Sequence, residues 1–367
     1  MEEVLEKKQC TGCMACKNIC PKKAITVEIG KDGFEYTKID KQYCINCGLC
    51  KKVCPVINKL QENRNEIQVY CCKNKDKNIR LQSSSGGIFT LIAEWILNQD
   101  GVVFGVKFNE NMEAIHDYIE TKDKLELFRG SKYLQSRIED NYEKVKMFLL
   151  EKRKVLFTGT PCQIEGLLAY LGKEYNNLYT QDIICHGVPS PKVWRKYLEY
   201  IQNKNRDNLE KINFRKKDIL GWKDYQVYYK YNNTDQYIHH KDDIYMRMFL
   251  KNLILRESCY NCNFKKIKRA SDITIADFWG IDKINLDFYD EKGISAIMIN
   301  SLKGKEIFED IKLNMEFSKA DINDIIKYNS CICKSTNYNI EREEFFKDLE
   351  EKDFEYIISK FLDNTTK

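Results

Sequence analysis

Eight cysteines in two matched runs constrain this chain more than any other feature. Cys10-Thr-Gly-Cys13-Met-Ala-Cys16-Lys-Asn-Ile-Cys20-Pro21 is echoed by Cys44-Ile-Asn-Cys47-Gly-Leu-Cys50-Lys-Lys-Val-Cys54-Pro55. In each run two residues separate the first three cysteines, the fourth follows after three more, and a proline closes the run. Such spacing lets a short loop wrap one corner of a four-iron cubane while the fourth thiolate points away to a second cluster. One cluster then takes Cys10, Cys13, Cys16 and Cys54; the other takes Cys44, Cys47, Cys50 and Cys20. Pro21 and Pro55 end the short helical turn that carries the fourth ligand. A zinc site asks for two CxxC pairs without this crossing, and disulfides ask for an oxidising compartment. The reading is two 4Fe–4S clusters.

The stretch from about Glu3 to Asn58 resembles the bacterial two-cluster ferredoxin module at every ligand position of both motifs. The resemblance implies a small α+β domain over residues 1–60. The 367 residues leave room for one or two further domains and a large core. The charged start, Met1-Glu-Glu-Val-Leu-Glu-Lys-Lys, lacks the apolar stretch of a signal peptide. No apolar run approaches the ~20 residues of a membrane span. A cytoplasmic protein follows, its sixteen cysteines reduced or bound to metal. A net charge of +5, from 60 basic and 55 acidic residues, is a mild and dispersed excess. It reads as a solvated surface and not as a nucleic-acid binder, with a local basic face for an acidic electron carrier as the other option.

Beyond the first module, Lys59-Leu-Gln-Glu-Asn-Arg-Asn-Glu66 reads as a polar link. Ile67 to Cys72 predicts a strand whose Cys71 and Cys72 face opposite sides. Ser83-Ser84-Ser85-Gly86-Gly87 precedes a helix with apolar residues at Ile88, Phe89, Leu91, Ile92, Trp95 and Ile96. That start suits either an anion such as a pyrophosphate or a plain N-cap. Lys154 to Phe157 predicts a strand, Thr158 to Gln163 a turn opening a helix, and Tyr179 to Ile184 a second strand. The strand–helix–strand order makes these strands parallel. Cys162 and Cys185 then lie beyond the carboxyl ends of adjacent strands, where open α/β sheets place ligands. With Cys259-Tyr-Asn-Cys262 they complete four thiolates. A third 4Fe–4S cluster and a redox-active dithiol both fit that set. Cys71, Cys72, Cys331 and Cys333 stay unassigned, and the residues after 325 read as a charged helical tail.

Six stretches together resemble the beta-subunit family of coenzyme F420 hydrogenases and dehydrogenases. They are Ser83–Gly87, Gly130–Ser136, Phe157–Gln163, Ile184–Gly187, Cys259–Cys262 and Ser271–Gly280. The resemblance implies an α/β flavoprotein core with a parallel or mixed sheet over residues 61–325, in parts 61–150 and 151–325, before a tail at 326–367. It implies a cluster on Cys162, Cys185, Cys259 and Cys262 close to FAD. The FAD contacts it implies are Ser85, Gly86, Gly87, Lys132, Tyr133, Gln135, Ser136, Thr158, Gly159, Thr160, Asp277 and Trp279. Ala276 stands where the family commonly has Gly.

The function expected is an oxidoreductase that passes electrons between ferredoxin and a two-electron organic acceptor, coenzyme F420 or another small molecule. The alternative is a non-catalytic electron-transfer subunit with a partner redox subunit. His186 is the candidate for proton transfer, since imidazole titrates near neutral pH; a structural histidine beside a ligand is the other reading. Lys265, Lys266, Lys268 and Arg269 either meet phosphates or an acidic substrate tail, or form a solvated loop.

Overall fold

A computed structural model describes residues 2–60 and 66–363. The expected link falls largely on residues 61–65, outside the described residues. The N-terminal module is a three-stranded antiparallel sheet of β1 (Glu2–Glu3), β2 (Ile25–Ile29) and β3 (Glu35–Ile39), in the order β1-β3-β2. Two one-turn helices, Ala15–Asn18 and Leu49–Lys52, each end two residues before the fourth cysteine of a run.

The core is an eight-stranded mixed sheet, ordered β14-β4-β13-β12-β8-β7-β5-β6. Its strands are β4 (Gln68–Asn74), β5 (Val102–Phe108), β6 (Ala114–Ile119), β7 (Val155–Thr158), β8 (Leu178–Ile183), β12 (Ile273–Asp277), β13 (Ser295–Ile299) and β14 (Met315–Lys319). The central four, β5, β7, β8 and β12, are parallel, and every other pairing is antiparallel. A second antiparallel sheet, β9 (Leu209–Lys216), β10 (Gln226–Tyr231) and β11 (Asp235–His239), stands apart from the first.

Alternation along the central strands divides the core in two, because successive side chains leave a strand on opposite faces. Val103, Leu156 and Tyr179 join the Ile88–Leu97 and Leu302–Ile311 helices on one face. Val102, Phe104, Val155, Phe157 and Leu178 meet the Asn141–Leu150 and Pro161–Leu171 helices on the other. Cys72 and Cys71 fall in different apolar clusters, as the period of two requires.

The N-terminal module sits on the second of these faces, where Cys13, Met14, Ala15 and Val53 are part of the apolar cluster. Gly166 makes this approach feasible: a Cβ there would stand 2.9 Å from Cys13 Cβ and 3.0 Å from its Sγ. Arg256, fully buried, pins the joint. It donates to Cys10 O (2.6 Å), Glu35 O (2.9 Å) and Gln135 Oε1 (2.8 Å), and lies over the ring of Tyr36. The C-terminal helices close the third large cluster, burying Phe345, Leu349, Ile357 and Phe361 beside Trp194 and Tyr245.

Candidate functional site

The twelve cysteines singled out in the sequence stand in three neighbouring groups. Cys20, Cys44, Cys47 and Cys50, from both runs, line one small cavity. Cys20 of the first run thus stands beside the first three cysteines of the second. The charge of Cys10 acts on Cys13, Cys16 and Cys54, and that of Cys54 acts on Cys16, which gathers the second group. Cys185 feels Cys259, Cys162 and Cys262, which gathers the third. The groups are themselves in sequence: Cys16 feels Cys50 on one side, and Cys13 feels Cys162 on the other.

Burial, reinforced by neighbouring thiolates, pushes Cys16 and Cys162 up to about 12 and Cys259 up to about 11. Cys13 and Cys185 rise well above the ordinary thiol value for the same reasons. Without a cation these thiols stay protonated; bound metal supplies the charge that makes thiolates of them. Donors are already aimed at the sulfurs: Ala24 N–H to Cys20 Sγ at 3.3 Å, Asn46 N–H to Cys44 Sγ at 3.5 Å, and Thr160 Oγ1 beside Cys162 Sγ at 3.2 Å. Hydrogen bonds of this kind tune iron–sulfur potentials. Among the described residues no three His, Cys, Asp or Glu side chains converge as ligands of a single ion would. Four thiolates that each hold a different iron of a cubane stand farther apart than four around one ion.

The third group borders a cavity of about 460 Å³ at the carboxyl edge of the parallel strands. Cys185 and His186 follow β8, Thr158–Thr160 follow β7, and Asp277 ends β12; all line it. Its wall includes Ser85, Gly87, Lys132, Tyr133, Ser136 and Trp279 from the expected set. Two expected residues are placed elsewhere. Gly86 lies behind the wall, where a Cβ would be 2.5 Å from Cys72 O. Gln135 donates its amide N–H to Thr11 O and accepts from Arg256 at Oε1, joining the two domains. The serines at the helix start turn their hydroxyls to the protein: Ser83 to Ile79 O, Ser84 to Ser131, Ser85 to Ile294 O.

Beside the expected Asp277 and Trp279, three residues escaped sequence reasoning: Arg215, Trp222 and Tyr225. Arg215, at the end of β9, forks onto Asp277 (3.0 and 3.3 Å) and lies over the rings of Tyr225 and Trp279. Trp222 stacks on Trp279 at 4.9 Å and donates to Asp277 Oδ1. A buried Arg in an alternating strand was the available signal, but its partner lies 62 residues away. Arg215 Nε and Gln181 Oε1, both on residues of this wall, are buried without partners. Orphaned polar atoms beside stacked rings fit a flat heteroaromatic cofactor with polar edges.

His186 Nε2 meets Asn252 Oδ1 at 2.7 Å, and its Nδ1 meets Cys331 Sγ at 3.5 Å. Burial lowers its pKa. Cys331, expected in a polar tail, lines the same cavity because fully buried Ile332 anchors the Cys331-Ile-Cys333 turn. Of the basic run, Lys265 donates to His186 O and Thr336, Lys266 pairs with Glu165, and Arg269 pairs with buried Asp182; Lys268 is exposed. That run is mostly structural. Lys132 donates to the carbonyls of Leu127, Arg129 and Gly130, and burial brings it down to about 7.

Residues 152–325 match the family model for the C terminus of the coenzyme F420 hydrogenase/dehydrogenase beta subunit, and residues 9–58 match a 4Fe-4S dicluster domain. No curated protein matches. Among solved structures, a chain of the xenon-derivatised F420-reducing NiFe hydrogenase complex from Methanosarcina barkeri is similar at 16% identity, covering 77% of this chain and 87% of that one, with a TM-score of 0.45. No described helix is long and apolar enough to cross a membrane. The chain is thus an iron–sulfur redox protein whose residues 152–325 are related to the C terminus of the coenzyme F420 hydrogenase/dehydrogenase beta subunit and whose residues 9–58 are related to 4Fe-4S dicluster domains.

Proposed function

We propose that this protein is a cytoplasmic oxidoreductase that passes electrons between a ferredoxin-type one-electron carrier and a two-electron organic acceptor. The acceptor is coenzyme F420 or another small molecule. The reading rests on one observation, the succession of three cysteine groups that ends at the 460 Å³ cavity. In it Cys20, Cys44, Cys47 and Cys50 hold the outer 4Fe–4S cluster, Cys10, Cys13, Cys16 and Cys54 the middle one, and Cys162, Cys185, Cys259 and Cys262 the inner one. Residues 1–60 form the carrier-facing unit, 61–325 the FAD-binding unit, and 326–367 the segment that closes it.

FAD, when bound, would exchange single electrons on one side and a hydride on the other. The chain's own residues bind and orient it. Arg215, held by Asp277 and Tyr133, presents a fixed positive charge in the wall. Trp279 and Tyr225 frame the cavity, and Thr158, Gly159 and Thr160 present the strand-end backbone to it. Lys132, brought down to about 7 by burial, would be held in its charged form by an anion that enters the cavity. His186, oriented by Asn252 and turned toward Cys331, is the residue we assign to proton transfer at Nδ1.

The family's description as a beta subunit favours a second reading, a relay protein that binds no substrate of its own. Anaerobic purification separates the two. The proposal expects bound flavin, about twelve irons per chain, and turnover of a small acceptor with reduced ferredoxin. Clusters without flavin would establish the relay, and a colourless or zinc-loaded protein would sink both. Cys185→Ser should remove about a third of the iron and block electron delivery to the flavin while leaving the outer clusters reducible.

A further inference from the structure

The outer cysteine group lies at the end of the line away from the cavity, and Cys47 is exposed there. In the same run Tyr43 and Ile45 stand 59% and 57% exposed. Lone apolar residues on a surface are ordinary; two flanking the cysteines of an accessible redox centre make a contact patch.

The charge around the patch has one sign. Segments 20–24 and 40–60 carry six exposed lysines, at 22, 23, 41, 51, 52 and 59, and a single carboxylate, Asp40. Asp40 Oδ1 already accepts from Gln42 N–H at 2.9 Å. Lys22, Lys23, Lys51 and Lys52 enter no ion pair among the described residues. Three carboxylates elsewhere in the module are already engaged, Glu28 with Lys7 and Lys38, Glu35 with Arg137, and Asp32 with Arg342; exposed Glu3 and Glu6 belong to the N-terminal segment, outside these two stretches. The dispersed charge of the whole chain thus conceals a local basic excess in the two stretches that carry the outer cysteines. A second copy of this chain would bring the same sign and be repelled.

We infer that this face docks an acidic one-electron carrier protein, its carboxylates on these lysines and its own redox centre over Tyr43, Ile45 and Cys47. The inference rests on the ferredoxin-linked reading above and adds the surface and the force that guides the encounter. A cluster held by Cys20, Cys44, Cys47 and Cys50 would take one electron per encounter from the reduced carrier, with no bond made. Opposite charges raise the encounter rate, and salt screens them.

The test uses the anaerobic holoprotein and stopped-flow reduction by a reduced acidic two-cluster ferredoxin, with dithionite as a charge-blind comparison. In dilute buffer, Lys22→Glu/Lys23→Glu and Lys51→Glu/Lys52→Glu should each slow ferredoxin reduction about tenfold or more. Half-molar salt should bring wild type and variants together. Dithionite rates, and Lys319→Glu on the far edge of the core sheet, should stay unchanged. Should a double reversal disturb the clusters, the wild-type salt series alone decides: a ferredoxin rate that does not fall with salt overturns the proposal. So does equal speed of wild type and reversed variants, or tight binding of a single-stranded oligonucleotide to the same lysines. If ferredoxin fails to reduce the wild type at any salt while dithionite succeeds, the ferredoxin-linked reading itself has failed.

Discussion

The N-terminal module and the core sheet are held together by different means. The core buries apolar clusters on both faces of its sheet, and a third beneath the separate small sheet. The module's own apolar cluster contains three buried residues, Val4, Ile25 and Ile39, packed against four cysteines. A unit of about 60 residues with so little apolar burial depends on another source of order. Two such sources are implied: the iron–sulfur clusters its cysteines are spaced to hold, and the face of the core on which it sits. The core is organised by hydrophobic burial, and the module by ligands and by its neighbour.

Removing iron is the strongest way to break that contrast. Metal binding to such a module is folding free energy. The apo-protein should become open to protease within residues 2–60 while the core resists, with fragments mapped by mass spectrometry. A core that unfolds together with the module would erase the distinction. Next in size is Arg256→Ala, which leaves the acceptors on Cys10, Glu35 and Gln135 unpaired in a buried joint. We expect a loss of about 3 kcal/mol or more in denaturant titration. Arg256→Lys should recover part of it, and the iron content should hold.

The core should also show its own acid sensitivity. His116 is buried, stacks on Phe157, and meets Thr158 O through Nε2 at 3.1 Å. Burial pulls it down to about 4. Its folded pKa lies below the unfolded value, so the unfolded chain binds the extra proton between these two. The stability it contributes is complete above about pH 6.5 and is lost as pH falls toward 4, by up to ~3 kcal/mol. His116→Gln should flatten that part of the melting-temperature profile; an unchanged slope would move the acid sensitivity elsewhere. The smallest effect is expected at Cys331→Ser, which keeps a polar atom near His186 Nδ1. Stability should shift by less than about 1 kcal/mol and iron should be retained, whereas a fall in iron would make Cys331 a ligand.

Local signals were legible in the sequence wherever neighbouring residues carried them. Both cysteine runs, the strand–helix–strand unit and the placement of Cys162 and Cys185 past the strand ends followed from spacing and periodicity. What escaped depends on pairings between distant segments. Arg215 gains its meaning from Asp277, Tyr225 and Trp279; Gln135 gains its meaning from Thr11 and Arg256. The motif around Gln135 pointed to the cavity, and the fold turned that one side chain to the joint. Cys331 looked peripheral because its own segment is polar, and the burial of Ile332 beside it becomes apparent only in three dimensions.

The order of strands in the large sheet bears on how the molecule is made. β4 is synthesised early, yet it lies between β13 and β14, whose residues follow it by more than 220 positions. Cys259 and Cys262 also emerge late, long after Cys162. A nascent chain halted at residue 250 should therefore hold the outer module's whole sequence beside an unfinished sheet, without Arg256 at their joint and with two sulfurs of the inner group still to come. On the proposed assignment iron loading would proceed from the outside in, and the innermost centre would be assembled when translation is nearly complete.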